Sequence, residues 1–152
     1  MMRIDSALLA MVKEVIVEPD YSVTLTMRPI NGSRRRTTKQ IDAEQAFSWF
    51  LHVMNERCFG HGYRRKGHEL GVFAALEGLG HDQQPHWHAA FRLPSFLSHK
   101  RFLVAFDKAR KKTRRFGKAH DIQPFYEGVW IEYCLKLGPE SFCPQFLRAG
   151  TP

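Results

Sequence analysis

The chain has no uninterrupted apolar run approaching the ~18 residues that a membrane-spanning helix needs, so a helical membrane protein is not expected. Its first residues, Met1-Met2-Arg3-Ile4-Asp5, carry neither a long apolar stretch nor a small-residue cleavage site, and no signal peptide is read there. Cysteine is scarce. Cys58, Cys134 and Cys143 form no C-x-x-C pair and no even framework. That argues against a disulfide scaffold and a cysteine-built zinc site, and points to free thiols in a reducing cytoplasm. No internal repeat or low-complexity segment stands out. Acidic residues are outnumbered, 15 against 23 basic, giving a net charge of +8 and a pI near 9.7. Such a balance favours a polyanionic partner, either nucleic acid or an anionic surface.

What is present suffices for one folded domain over residues 1–152. Hydrophobic residues make up 43%, with 12 Phe and 3 Trp, enough for one core but not for two ordinary domains. Residues 21–28 alternate with period two and are rich in β-branched residues, which predicts a strand. A turn with a basic tip follows, Asn31-Gly32-Ser33 and then Arg34, Arg35 and Arg36. Asp42 is read as the N-cap of a helix over 43–57, with Ala46, Phe47, Phe50, Leu51, Val53 and Met54 at helical spacing. Residues 60–67 read as a Gly- and Arg-rich connection. Strands are predicted over 71–77 and 86–93, close enough to pair as an antiparallel hairpin. Ser98 caps a helix over 99–113, with Phe102, Leu103, Phe106 and Ala109 inward. Its C-terminal end is basic, which also suits the helix dipole. A short strand over 120–125 and a helix over 127–137, ended by Gly138-Pro139, complete the chain. The order β-α-β-β-α-β-α predicts an α+β fold of two layers, ferredoxin- or RRM-like, with a central antiparallel sheet flanked by helices.

Strand parity then singles out a candidate metal site. His86 and His88 share one strand face while Trp87 points to the other. Glu77 ends an apolar strand, where a carboxylate is costly unless paired or bound to metal. If Glu77 lies across from His86 or His88, two imidazoles and one carboxylate converge, a set that binds a divalent cation and leaves positions open for water or phosphate oxygens. The other histidines (His52, His61, His68, His81, His99 and His120) read as exposed; His81, in the hairpin loop, lies nearest the proposed site.

Tyr133 and Lys136 stand at i and i+3 on the last helix, hence on one face. A phenol is a weak nucleophile at neutral pH, and a nearby ammonium together with a metal-polarised phosphate lowers the barrier to its attack. Tyr126 and Tyr63 are competitors. The first ends a strand with no lysine one helical turn away, and the second sits in a basic loop.

In this order the motifs resemble the HUH endonuclease superfamily, in particular the nicking domains of rolling-circle replication initiator (Rep) proteins. Val23-Thr24-Leu25-Thr26 is similar to the family's first motif. His86-Trp87-His88 resembles its H-hydrophobic-H motif, preceded by Glu77 where viral-type members carry a carboxylate ligand. Tyr133-Cys134-Leu135-Lys136, followed by Gly138 and Phe142, resembles the Tyr-Cys-x-Lys motif. The likeness spans roughly residues 20–142. It implies Mg²⁺ or Mn²⁺ held by Glu77, His86 and His88, with catalysis by Tyr133 and Lys136. The implied reaction nicks and rejoins single-stranded origin or hairpin DNA through a 5′-phosphotyrosine, with a free 3′-hydroxyl to prime a host polymerase. Many viral-type members have glutamine where this chain has His88. Only one candidate catalytic tyrosine is evident. No G-x-x-x-x-G-K-[ST] loop occurs, so no helicase domain is expected; either a host helicase unwinds the duplex or this is an isolated nicking domain.

Phosphate contacts are expected from the basic clusters at 34–39, 64–66 and 108–118, chiefly Arg34, Arg35, Arg36, Lys111, Lys112, Arg114 and Arg115, with Thr24 and Thr26 on the strand beside the site. Two other readings share parts of the pattern. A single-tyrosine HUH transposase also acts on single-stranded DNA, although Lys136 favours a Rep protein. A non-catalytic RRM-like module would instead need exposed aromatics where this chain places His86, His88 and Glu77.

Overall fold

Alternation decides the sheet. In β1, Tyr21–Met27, the odd-numbered residues are buried and Ser22, Thr24 and Thr26 are half-buried on the other face. The computed structural model of the chain describes residues 5–28, 40–79, 84–126, 130–136 and 141–152. Its elements are α1 (Ser6–Val15), β1, α2 (Gln40–Phe59), α3 (His61–Lys66), β2 (Gly71–Glu77), β3 (His86–Arg92), α4 (His99–Lys112), β4 (Phe116–Pro124) and α5 (Trp130–Lys136), followed by a 3₁₀ turn, Pro144–Phe146. The four strands form one antiparallel sheet in the order β2-β3-β1-β4. With α2 and α4 as the crossovers, this is the expected α+β, ferredoxin-like arrangement.

Helices α2 and α4 cover one sheet face. Val23, Leu25, Val72, Leu76, Trp87 and Phe91 meet Phe47, Phe50, Phe102 and Phe106 in a single core. Trp87 is fully buried and stacks on Phe47 at 4.5 Å, as strand parity requires. Each buried phenylalanine contributes about 1.5–3 kcal/mol, so this face supplies the stability that lets the other remain partly polar. The second face carries a smaller core, in which α1 and α5 pack Val12, Ile16, Ile131, Cys134 and Leu135 on Phe73, Ala75 and Ala90. Beyond it, over β1 and β4, the same face is polar.

Several boundaries differ from the sequence reading. Helix α1 was not expected, although Asp5 caps it by accepting from the backbone N–H groups of Ala7 and Leu8. Helix α2 starts at Gln40, so Asp42 lies in its first turn and favours the positive end of the dipole rather than capping it. Leu103 is 41% exposed, and Ala105 takes the inward position instead. The connection at 60–67 contains the short helix α3, and β4 begins at Phe116 rather than at 120. The expected turn over 29–36, with Arg34, Arg35 and Arg36, and the basic cluster at 34–39 lie outside the described residues. So do His81 and the expected helix end at Gly138-Pro139.

Residues 141–148 run along the free edge of β2. Arg148 exchanges two backbone hydrogen bonds with Val72, of 2.9 and 3.0 Å, and Cys143 N–H donates to the Ala74 carbonyl at 3.1 Å. This covers an edge that would otherwise be open to pairing. Gly78, directly after Glu77, has φ +83°, and a Cβ there would lie 2.8 Å from the Gln84 carbonyl oxygen. Glycine therefore lets the hairpin turn immediately beyond the carboxylate.

Candidate metal centre

Register brings the three expected ligands together. Glu77 pairs directly with His86, and Ala75 with His88, so Glu77, His86 and His88 project from one face of adjacent strands. Glu77 Oε2 lies 3.0 Å from His86 Nε2 and 3.1 Å from His88 Nε2. One donor atom from each of the three falls within 4.8 Å of the others, close enough to hold one ion.

The outer contacts orient the rings. His86 Nδ1 lies 3.1 Å from the Gln84 carbonyl oxygen, which can only accept, so Nδ1 carries the hydrogen. In the neutral ring Nε2 is then a lone pair aimed at a carboxylate oxygen. That pairing requires a positive charge between the two atoms, either a proton or a metal ion. His88 Nδ1 lies 3.2 Å from the Thr24 hydroxyl, which can accept the same kind of hydrogen bond and so also present Nε2 to Glu77. Glu77 Oε1 is buried and has no hydrogen-bond partner among the described residues. A buried carboxylate oxygen in that state is costly, and a cation relieves the cost. The residues therefore fit a divalent ion.

Electrostatics favour the ligating form of His88. Burial holds its pKa below the ordinary 6.5; the Glu77 carboxylate opposes that shift and His86 adds to it. The neutral imidazole is the metal-binding form. Cys134 is buried on α5 near Glu77. Burial, reinforced by the Glu77 charge, pushes its thiol well above the ordinary range, so it stays protonated at neutral pH and does not compete as a thiolate.

Helix α5 does cross the metal-bearing face. Ile131, Cys134 and Leu135 point into the smaller core, which turns Tyr133 outward, 54% exposed. Tyr133 lines a cavity of about 390 Å³ with Ser22, Thr24, Asp121, Gln123, Tyr126 and Trp130. Thr24 joins this cavity to the metal group through His88. Trp130 is a second link, its ring 6.1 Å from that of His88. Tyr126, the competing phenol, lines the same cavity and is 75% exposed; Tyr63 lies elsewhere, hydrogen-bonded to His52 at 3.2 Å. Lys136 is the last described residue of α5, and its side chain lies outside what is described.

The other expected contacts divide. Thr26 pairs with His86 on the metal-bearing face. Lys111, Lys112, Arg114 and Arg115 gather at the end of α4, in the opposite layer. Lys111 there is tied to Asp107 at 2.9 Å. His99, His61 and His120 are exposed as expected, His99 bonding the Tyr21 hydroxyl at 2.8 Å, whereas His52 and His68 are half-buried. Asp121, Gln123, Ser22 and Trp130 were missed from the sequence. The first two stand at i and i+2 on β4, a parity signal that becomes readable only when the pairing Ser22↔Gln123 and Thr24↔Asp121 is known.

Thr24 gives a test of this geometry. Thr24→Val keeps the shape but removes the acceptor from His88 Nδ1. We expect Mn²⁺ affinity to fall about 10–100-fold, as for other outer-shell partners, and Thr24→Ser to restore it. Titration calorimetry reads both values.

No protein-family model matches the chain, and no curated protein does. Among solved structures, the chain is similar to a protein of unknown function from Rhodopseudomonas palustris, a structural genomics target. The identity is 14%, over 84% of this chain and 98% of that one, with a TM-score of 0.30. A likeness that weak carries no argument about fold or function.

Proposed function

We propose that the protein is a metal-dependent single-stranded DNA endonuclease and strand-joining enzyme of the HUH type, acting in rolling-circle replication. The observation that carries this reading is the Glu77–His86–His88 group, linked through Thr24 to the cavity that holds the Tyr133 phenol. The motif order in the sequence, two histidines and then tyrosine and lysine, points the same way.

In this reading the Tyr133 oxygen attacks a backbone phosphorus. The P–O3′ bond breaks, the 3′ oxygen leaves as a hydroxyl, and the 5′ phosphate remains on the tyrosine. The phenolic proton passes to solvent, and solvent returns one to the departing 3′ oxygen. Attack by a 3′-hydroxyl on the phosphotyrosine reverses the step and rejoins the strand. A bound Mg²⁺ or Mn²⁺ supplies Lewis-acid polarisation of a phosphate oxygen. Thr24 and the Gln84 carbonyl fix the two imidazole rings, and α5 holds the phenol over the polar half of the face. Lys136, one helical turn beyond Tyr133, is the expected source of positive charge on the developing oxyanion. The imidazole donors suit Mn²⁺ better than Mg²⁺, which prefers oxygen ligands throughout.

Incubating the chain with a pool of single-stranded DNA and Mn²⁺, then separating the products on a denaturing gel, tests the proposal. A covalent protein–DNA band that disappears in EDTA is expected. Binding without cleavage would instead favour a non-catalytic module.

A further inference from the structure

The helix-covered side of the molecule carries a second basic and aromatic feature, distant in the fold from the metal-bearing face. Trp49 on α2 is 51% exposed, unlike fully buried Trp87. Two surface cavities, of about 650 and 630 Å³, share Gln45 and Trp49 in their walls and so adjoin along α2, where together they outline a trough with Trp49 at its middle. At one end stand Lys112, Arg114 and Arg115; at the other stands Arg148. Asp42 and Glu69 also line it, so its side chains carry four positive charges against two negative. Lys112 and Arg114 are exposed and form no salt bridge among the described residues.

The indole has an aromatic neighbour on its own helix. Its ring lies 5.5 Å from that of His52, and His52 is bonded to the Tyr63 hydroxyl at 3.2 Å. An exposed aromatic ring between cations matches how single strands are bound without sequence preference: phosphates follow the positive groups and a base stacks on the ring. A duplex keeps its bases stacked inside and offers the indole no free face.

We infer that this trough is a second binding site, for single-stranded DNA, with Trp49 as its stacking platform and Lys112 and Arg114 as phosphate contacts. The commitment to DNA rests on the proposed function. The binding itself does not depend on cleavage and is measured without it.

The test uses the whole chain in EDTA with a fluorescein-labelled, mixed-sequence single-stranded DNA. Trp49→Ala replaces an exposed helical residue by a better helix former, so the fold should be retained, as checked by an unchanged melting temperature. Affinity is expected to fall about ten-fold, the scale of one lost stacking contact. Lys112→Ala and Arg114→Ala should each reduce the slope of log K against log salt by about 0.7. The same sequence as a duplex should bind more weakly. Undiminished affinity in Trp49→Ala, unchanged salt slopes, or equal affinity for duplex would each overturn the inference. Because cleavage plays no part in the readout, loss of binding here and failure of nicking are separate results.

Discussion

Tyr133→Phe is expected to abolish the covalent protein–DNA adduct while leaving DNA binding and the fold intact. The ring stays and only the hydroxyl is lost. That hydroxyl sits on a side chain more than half exposed and makes no hydrogen bond among the described residues. The change in stability should therefore be within about 0.5 kcal/mol, the range for surface substitutions. The chemical effect should be far larger. Removing a covalent nucleophile lowers turnover by about four orders of magnitude or more. A denaturing gel reads the adduct, and thermal melting reads the fold. Tyr126→Phe is the control from the same cavity and should leave the adduct in place.

Glu77→Ala is expected to have the second largest effect, on metal binding. The carboxylate supplies the atom that faces both imidazoles, at 3.0 and 3.1 Å. Losing it should weaken Mn²⁺ binding by at least about 100-fold, more than the loss of an outer-shell partner. Stability separates this from simple damage. An ion that binds only the folded chain stabilises it by about 2.7 kcal/mol when present at 100 times its dissociation constant. The native chain should therefore melt higher with Mn²⁺ than with EDTA, and the variant should melt alike in both. In EDTA the variant should melt no lower than the native chain, because it sheds a buried carboxylate with one unpartnered oxygen. A variant that kept its Mn²⁺ stabilisation would remove Glu77 from the ligand set.

Much of this site was legible because strands are simple. Period-two parity assigns His86 and His88 to one face and Trp87 to the other. A lone carboxylate ending an apolar strand marks Glu77 as a candidate ligand. The hairpin joining the two strands is local, so their pairing follows from sequence proximity. The rest depends on long-range contacts that parity cannot supply. Thr24 reaches His88 only because β1 inserts between β3 and β4, and Asp121 and Gln123 join the cavity for the same reason. Helix α1 did leave a signal, with Leu8, Val12 and Ile16 at four-residue spacing after Asp5, but it is short and easily read as a tail. The segment along β2 left little. Its pairing is interrupted by a 3₁₀ turn that begins at Pro144 and is joined by isolated bridges at Phe142 and Arg148, so no alternating run forms.

The burial of Cys134 and Leu135 matters most for the functional argument. Their packing against Phe73, Ala75 and Ala90 orients α5 so that Tyr133 opens toward the polar half of the metal-bearing face. The central claim is that this phenol, and no other group, takes the DNA phosphate. Proteolysis of the Mn²⁺-dependent adduct followed by peptide mass spectrometry tests it most directly. The account predicts a nucleotide phosphate on the peptide containing Tyr133, attached to the tyrosine oxygen. Attachment at Tyr126, or at any residue outside α5, would contradict it.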